Sequence, residues 1–297
     1  ISVMSNLVKK ILIDNGFSKP IKVCGLGVEH LRSDNNKFYP FSARKFKFLH
    51  VSSCFPRKGV EILLQAYKKS FSSTNDVSLV IKTFSNSHNK IKSKIDDYRK
   101  QYVDFPDVVY IDNDLSKEEM VSLYSQCDVL VAPSFGEGFG LPIAEAMLLK
   151  LPVITTGWGG QCDFCCKDNS WLIDYEFNYS DSHFGLTSSV WAKPMVDDLA
   201  RLMSELYNLD PEILLDKTAN AFNLISKEFT WHNVAEINST FVNKLLSQKV
   251  ARPSKIGFIT TWNSRCGIAA YSEHLINYFS EDVIILAPYN DSLVSVD

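Results

Sequence analysis

From Phe46 onward, short β-rich apolar runs alternate with stretches of helical periodicity, and no other feature of the sequence narrows the fold as much. Strand candidates are Phe46 to Ser52, Val77 to Thr83, Val108 to Ile111, Val129 to Pro133, Val153 to Thr155 and Ser170 to Ile173. Such an alternation predicts an α/β fold, a parallel sheet covered by helices on both faces. Val60, Leu63, Leu64 and Ala66-Tyr67 mark one amphipathic helix, and Lys117 to Gln126 another, with Ser116 as its N-cap and acids in its first turn. Six strands suffice for a Rossmann-like sheet.

Both ends of the chain add to this sheet. An entry helix, Ser5 to Asn15, a strand, Ile21 to Cys24, and a Gly25-Leu26-Gly27 turn precede it and are expected in the same domain. After it, three helices are predicted over Val196 to Leu209, Glu212 to Glu228 and Trp231 to Leu246. Beyond Ala251-Arg252-Pro253-Ser254 the pattern restarts with a strand, Lys255 to Thr260, a loop at Cys266-Gly267-Ile268, a helix to about Phe279 and a strand, Asp282 to Leu286. One βαβ unit cannot bury both faces of a parallel sheet. The expected organisation is therefore a domain over 1–250, then a linker and the truncated start of a second Rossmann-like domain over 251–297. With Ile1 rather than Met in first position, a piece of a longer polypeptide is expected.

Composition excludes several classes of function. The net charge is −3, and Lys and Arg are interspersed with acids, so the basic stripe of a nucleic-acid binder is missing. No apolar run approaches the length of about 18 residues that a membrane span needs. The first residues lack the layout of a secretion signal. A cytoplasmic protein is expected, with room for peripheral attachment at the inner membrane face through another part of the polypeptide. Seven cysteines, several in or beside apolar segments, read as reduced thiols. The run Cys162, Cys165, Cys166 has no second paired cluster at zinc spacing, so incidental thiols are favoured over a metal site. His30, His50, His88, His183, His232 and His274 show no metal spacing, and no nucleophile elbow is present.

Chemistry concentrates in Pro133-Ser134-Phe135-Gly136-Glu137-Gly138-Phe139-Gly140-Leu141-Pro142-Ile143-Ala144-Glu145-Ala146. A buried strand here passes into a helix through a glycine-rich turn. Pro142 suits the first helical turn, and Gly138 and Gly140 permit close backbone approach to a ligand. Loop amides at a helix start favour an anion such as a diphosphate. Glu137 in the loop and Glu145 one turn inside the helix can reach opposite ends of one elongated ligand. A carboxylate can accept two hydrogen bonds from a vicinal diol, each charge-assisted bond contributing roughly 1.5–3 kcal/mol. A plain strand-to-helix turn with an acid stabilised by the helix dipole is the simpler reading, worth about 0.3–1 kcal/mol.

Two more loops bear on function. Asp112-Asn113-Asp114 has the D-x-D pattern by which some glycosyltransferases hold a cation and diphosphate, but a helix follows at once, which favours a turn. Thr155-Thr156-Gly157-Trp158-Gly159-Gly160-Gln161 is a glycine-rich turn at a strand end, the edge where open α/β sheets bind ligands.

The segment from Pro133 to Ala146 resembles the E-x7-E motif of glycosyltransferase family 4, retaining enzymes of the GT-B fold. The similarity extends over roughly residues 1 to 250, the donor-binding, carboxy-terminal half of that fold. Phe48 to Val60 is similar to the family's strand, loop and helix start bearing a phosphate-binding lysine. The resemblance implies that Glu145 holds the donor ribose and that Glu137 contacts hydroxyls of the transferred sugar. It also implies that the amides of Gly138, Phe139, Gly140 and Leu141 surround sugar and phosphates, and that Lys58 offsets charge on the departing diphosphate. Many members carry an arginine where this chain has Ser52 and Ser53; Arg57 is the candidate to compensate. The D-x-D loop would lie beside the nucleobase.

The implied reaction is transfer of a hexose from a nucleotide-diphosphate sugar to a glycan or lipid-linked acceptor in polysaccharide or lipopolysaccharide synthesis, with retention and with neither metal nor cofactor. The acceptor would be held mainly by an amino-terminal GT-B domain that this sequence lacks, so the fragment alone would bind donor weakly and turn over little. Similarity of the restart near Lys255 to the start of another such module suggests tandem transferases, and with them guanosine diphosphate mannose as donor. A GT-B nucleotide-sugar epimerase and a non-catalytic scaffold module remain alternatives.

Overall fold

A computed structural model describes residues 1–31, 37–180, 189–247, 256–260, 267–279 and 283–287. In chain order the elements are β1 (Ser2–Val3), α1 (Asn6–Asp14), β2 (Lys22–Val23), β3 (Phe46–Val51), α2 (Val60–Ser70), β4 (Val77–Lys82), α3 (Ile91–Gln101), β5 (Asp107–Ile111) and α4 (Lys117–Ser125). Next come β6 (Val129–Ala132), α5 (Leu141–Leu148), β7 (Val153–Thr156), β8 (Trp171–Ile173), β9 (Tyr175–Tyr179), β10 (Val190–Pro194) and α6 (Val196–Asn208). The series ends with α7 (Pro211–Glu228), α8 (Trp231–Leu246), β11 (Ile256–Ile259), α9 (Gly267–Ile276) and β12 (Val283–Leu286).

The chain divides into two compact units, one of residues 30–226 and one of residues 1–29 with 227–297. In the larger unit the six expected strands form a single parallel sheet in the order β5-β4-β3-β6-β7-β8. Every residue of β4 and β6 is buried, so β6 reads as an unbroken apolar run and β4 as one interrupted only by Ser78 before Lys82 closes it, rather than as alternation. The core gathers Phe48, Leu79, Ile81, Val129 and Ile154 from the sheet with Leu63, Tyr67, Leu199 and Met203 from α2 and α6. Each such side chain contributes about 1.5–3 kcal/mol by leaving water. Tyr67 is buried whole because its hydroxyl donates to the carbonyls of Val77 and Asp107, at 3.1 and 2.8 Å.

Chain order makes the sheet functional. From β3 the chain builds outward through β4 to β5, then returns to lay β6 on the other side of β3. The loops after β3 and β6 thus leave neighbouring strand ends and diverge, which opens the crevice where sheets of this type take ligands.

Ser116 caps α4 as expected, its hydroxyl accepting from the Glu119 amide at 3.3 Å while the Glu119 carboxylate accepts from the Ser116 amide at 2.8 Å. The short strand β1, helix α3 and the hairpin of β9 and β10 were not anticipated. Helix α3 buries only Ile91 and Ile95, so its apolar stripe is thin. The antiparallel hairpin of β9 and β10 follows β8 directly and exposes most of its side chains.

In the smaller unit β1 and β2 pair in parallel, and Cys24, Trp231, Val234, Ala235 and Leu275 form a separate core. Glu29 Oε1 accepts from the Trp231 amide at 2.8 Å. The residues up to Glu29 therefore group with α8 in this unit. The expected partial βαβ unit is present as β11, α9 and β12, its strands parallel. Lys255, the 251–254 linker, Cys266 and His183 lie outside the described residues.

Candidate active site

The site begins where β3 ends. After Val51 the chain runs through Ser52 to Phe55 into a single 3-10 turn, Pro56–Lys58, closed by Gly59 at φ 70°. His50, buried in the strand just before, fixes this exit. Its Nδ1 donates to the Val131 carbonyl at 2.8 Å, leaving Nε2 to accept from the Ser52 hydroxyl at 2.7 Å. Ser52 Oγ in turn accepts from the Cys54 amide at 2.9 Å. Burial pushes the His50 pKa down to about 4, so the ring stays neutral and keeps this tautomer at neutral pH.

The second wall is the loop after β6. Its backbone touches the first: the Phe135 amide donates to the Arg57 carbonyl at 2.8 Å. The contact is so close that a Cβ on Gly59 would lie 1.9 Å from the Pro133 carbonyl oxygen. Glycine is required there on both counts, approach and positive φ.

Across this seam the charged residues meet. Lys58, only 9% exposed, places Nζ 2.5 Å from Glu137 Oε1, and the Ser134 hydroxyl donates to the same oxygen at 2.7 Å. Arg57 Nη1 stands 3.8 Å from Glu137 Oε2 and donates to the Gly136 carbonyl at 3.2 Å. Burial alone would raise the Glu137 pKa, but Lys58, then Arg57, then the hydrogen bonds outweigh it and hold the carboxyl below its ordinary value. The result is a preorganised cluster of two cations and one carboxylate in which Lys58 and Glu137 are buried and Arg57 is partly exposed.

Gly138, Phe139, Gly140 and Leu141 lead from that cluster into α5. Phe139 is buried against Phe164, ring centroids 4.9 Å apart, which anchors the loop by its side chain. Gly140 takes φ 93° as the N-cap, and its place beside Gln161 lets α5 start abruptly. The first amides of a helix have no partner within it, so this turn offers donors to an anion. The expected turn over 155–161 lies alongside. Gly160 N–H donates to the Glu137 carbonyl at 2.8 Å, while buried Gln161 donates to the carbonyls of Thr156 and Trp158 at 2.9 and 3.1 Å. The unanticipated hairpin supports the loop from behind. Ala192 N–H donates to the Phe135 carbonyl at 3.0 Å, and Trp191 packs on the Phe135 ring.

Glu145 sits one turn into α5 and is 8% exposed. Tyr124 donates its hydroxyl to Oε2 at 3.0 Å, and His30 Nε2 lies 3.0 Å from Oε1. Burial first, then Glu145, raises the Tyr124 pKa well above its usual value, which keeps the phenol a donor. Lys58, Arg57 and Glu137 thus meet directly, with Gly138 to Leu141 adjoining, while Glu145 is held separately along the helix. Sequence reasoning assigned His30 no role and did not consider Tyr124, because the partners lie 115 and 21 residues from Glu145. A tyrosine on the buried face of α4 was the only signal available.

Asp112, Asn113 and Asp114 are exposed and lead into α4. Among the described residues no group of three or more His, Cys, Asp or Glu side chains could hold a metal ion, and no helix is long and apolar enough to cross a membrane. The described cysteines are free thiols.

Comparison with known proteins gives this geometry a context. The chain is 29% identical over 256 residues to the capsular polysaccharide biosynthesis glycosyltransferase CapM of Staphylococcus aureus, covering 82% of this chain and 62% of that protein. It therefore spans about six-tenths of the length of that relative. Among solved structures it is similar to Anabaena Alr3699/HepE in complex with UDP-glucose, at TM-score 0.59 and 19% identity, over 83% of this chain and 63% of that one. It is also similar to the C-terminal domain of the glycosyl transferase group 1 protein LpcC from Francisella tularensis, at TM-score 0.50 and 20% identity, over 65% of this chain and 96% of that domain. The six-stranded sheet is thus one half of a GT-B fold. The model of the family "Glycosyl transferases group 1" matches residues 32–183, which run from just before β3 to beyond β9 and hold every charged residue of the cluster, so the chain belongs to that glycosyltransferase family.

Proposed function

We propose that residues 1–250 are the donor-binding half of a retaining hexosyltransferase that uses a nucleotide-diphosphate sugar to extend a glycan or lipid-linked acceptor, in capsule or lipopolysaccharide synthesis. The observation that carries this reading is the buried contact of Lys58 with Glu137, at 2.5 Å, beside the glycine turn that opens α5. In this reading Glu145 accepts from the ribose diol, while Tyr124 and His30 orient its carboxyl group. Glu137 positions hydroxyls of the sugar. The diphosphate lies across the amides of Phe139, Gly140 and Leu141, with Lys58 and Arg57 facing it.

Cleavage of the bond between anomeric carbon and diphosphate oxygen leaves added negative charge on the departing nucleotide. A cation already in place, shielded from water, stabilises that charge without reorganisation. Glu137 helps by keeping Lys58 oriented, and no metal is required. The acceptor is held by a preceding GT-B domain, so the fragment alone binds donor weakly and turns over little. Residues 251–297 begin a second module of the same kind. The UDP-glucose complex of HepE supports a UDP-sugar among the donors to be screened.

Titration of nucleotide sugars into the full-length protein tests the ribose assignment. Glu145→Ala is expected to weaken donor binding on the order of tenfold or more, since it removes a charge-assisted pair of bonds. An unchanged dissociation constant by calorimetry would refute the role given to Glu145.

A further inference from the structure

Strand β4 ends in a lysine that no role above uses. Lys82 closes the strand at the carboxyl edge of the sheet, paired with Val51 of β3 on one side and Ile111 of β5 on the other. Its carbonyl accepts from the Ser52 amide at 3.1 Å, so it stands at the root of the loop that carries Arg57 and Lys58. It is 8% exposed. An ammonium has three donors and seldom leaves water unless an opposite charge meets it. Here Nζ donates to the Thr83 carbonyl at 2.7 Å, and among the described residues Lys82 forms no salt bridge.

A buried ammonium that bonds a neutral carbonyl, with Asp112 and Asp114 acting on it from outside salt-bridge reach, is an incomplete site. The partner that completes it carries negative charge, because a second neutral acceptor would leave the ammonium undercompensated. We infer that Lys82 is a second phosphate-binding cation of this site, its ammonium taking a phosphate oxygen of the nucleotide donor from the β4 side while Lys58 acts from the β3 loop. This rests on the donor reading proposed above. Burial lowers the Lys82 pKa, with Asp114 and Asp112 opposing from a distance, as expected of a cation awaiting an anion. Lys82, through its carbonyl on the Ser52 amide, and Lys58, at the end of the turn after Phe55, stand at the two ends of the same short loop.

The test uses the full-length protein with UDP, GDP, uridine and guanosine as probes, calorimetry for the diphosphates and ligand-observed NMR for the nucleosides. Lys82→Met is expected to weaken whichever diphosphate binds by tenfold or more while changing affinity for its nucleoside less than about twofold. The free variant should melt no lower than the wild type, because a buried uncompensated charge has gone, and Lys82→Arg should recover part of the diphosphate affinity. Unchanged diphosphate affinity, or an equal loss for nucleoside and diphosphate, would overturn the assignment, as would a lower melting temperature with arginine giving no recovery. If Glu145→Ala weakens the diphosphate and Lys82→Met does not, Lys82 alone is wrongly assigned. If neither diphosphate binds the wild type, the donor reading falls, and the Lys82 proposal with it.

Discussion

Lys58→Ala is expected to cut sugar transfer by the full-length enzyme by about 10²–10³-fold at saturating donor, the scale found when one preorganised donor to a developing negative charge is lost. The same change should destabilise the fold, because it strands the Glu137 carboxylate in a place only 9% exposed. Breaking a buried pair from one side costs about 3–5 kcal/mol. The two effects can be separated. Lys58→Met with Glu137→Gln removes both charges, so denaturant unfolding should return towards the wild-type midpoint while turnover stays lost. Normal rates in a well-folded Lys58 variant would remove the lysine from the chemistry.

Among the described glycines, Gly59→Ala should be one of the most damaging single methyl additions. A Cβ there would lie 1.9 Å from the Pro133 carbonyl oxygen, and the backbone sits at φ 70°, where an L side chain is strained. Neither the 3-10 turn nor the loop after β6 can move without breaking the Phe135–Arg57 backbone bond and parting Lys58 from Glu137. A loss of more than about 4 kcal/mol, in the exceptional range for point changes, is expected in denaturant unfolding, together with loss of activity. Wild-type stability in this variant would mean that the two loops do not meet as described.

The sheet was legible in the sequence because strands such as β4 and β6 are buried on both faces and leave mainly apolar runs, unbroken in β6 and interrupted in β4 only by Ser78 before Lys82 closes it. The hairpin of β9 and β10 was not, since Tyr175–Tyr179 mixes exposed aromatic and polar residues and has its partner beyond a long connection. Helix α3 escaped notice because nearly all of its surface is polar. Sequence marked Glu137, Glu145 and Lys58 one by one. That Lys58 and Glu137 touch depends on β6 returning beside β3, and local periodicity does not carry that information. The same holds for the grip of His30 on Glu145, and for the grouping of residues 1–29 with α8 through Glu29 and Trp231.

The most direct measurement is a crystal structure of the full-length protein with a bound nucleoside diphosphate. The ribose should rest on Glu145 and the diphosphate between Lys58 and the amides that open α5. A nucleotide bound elsewhere, with these residues touching none of it, would contradict the account.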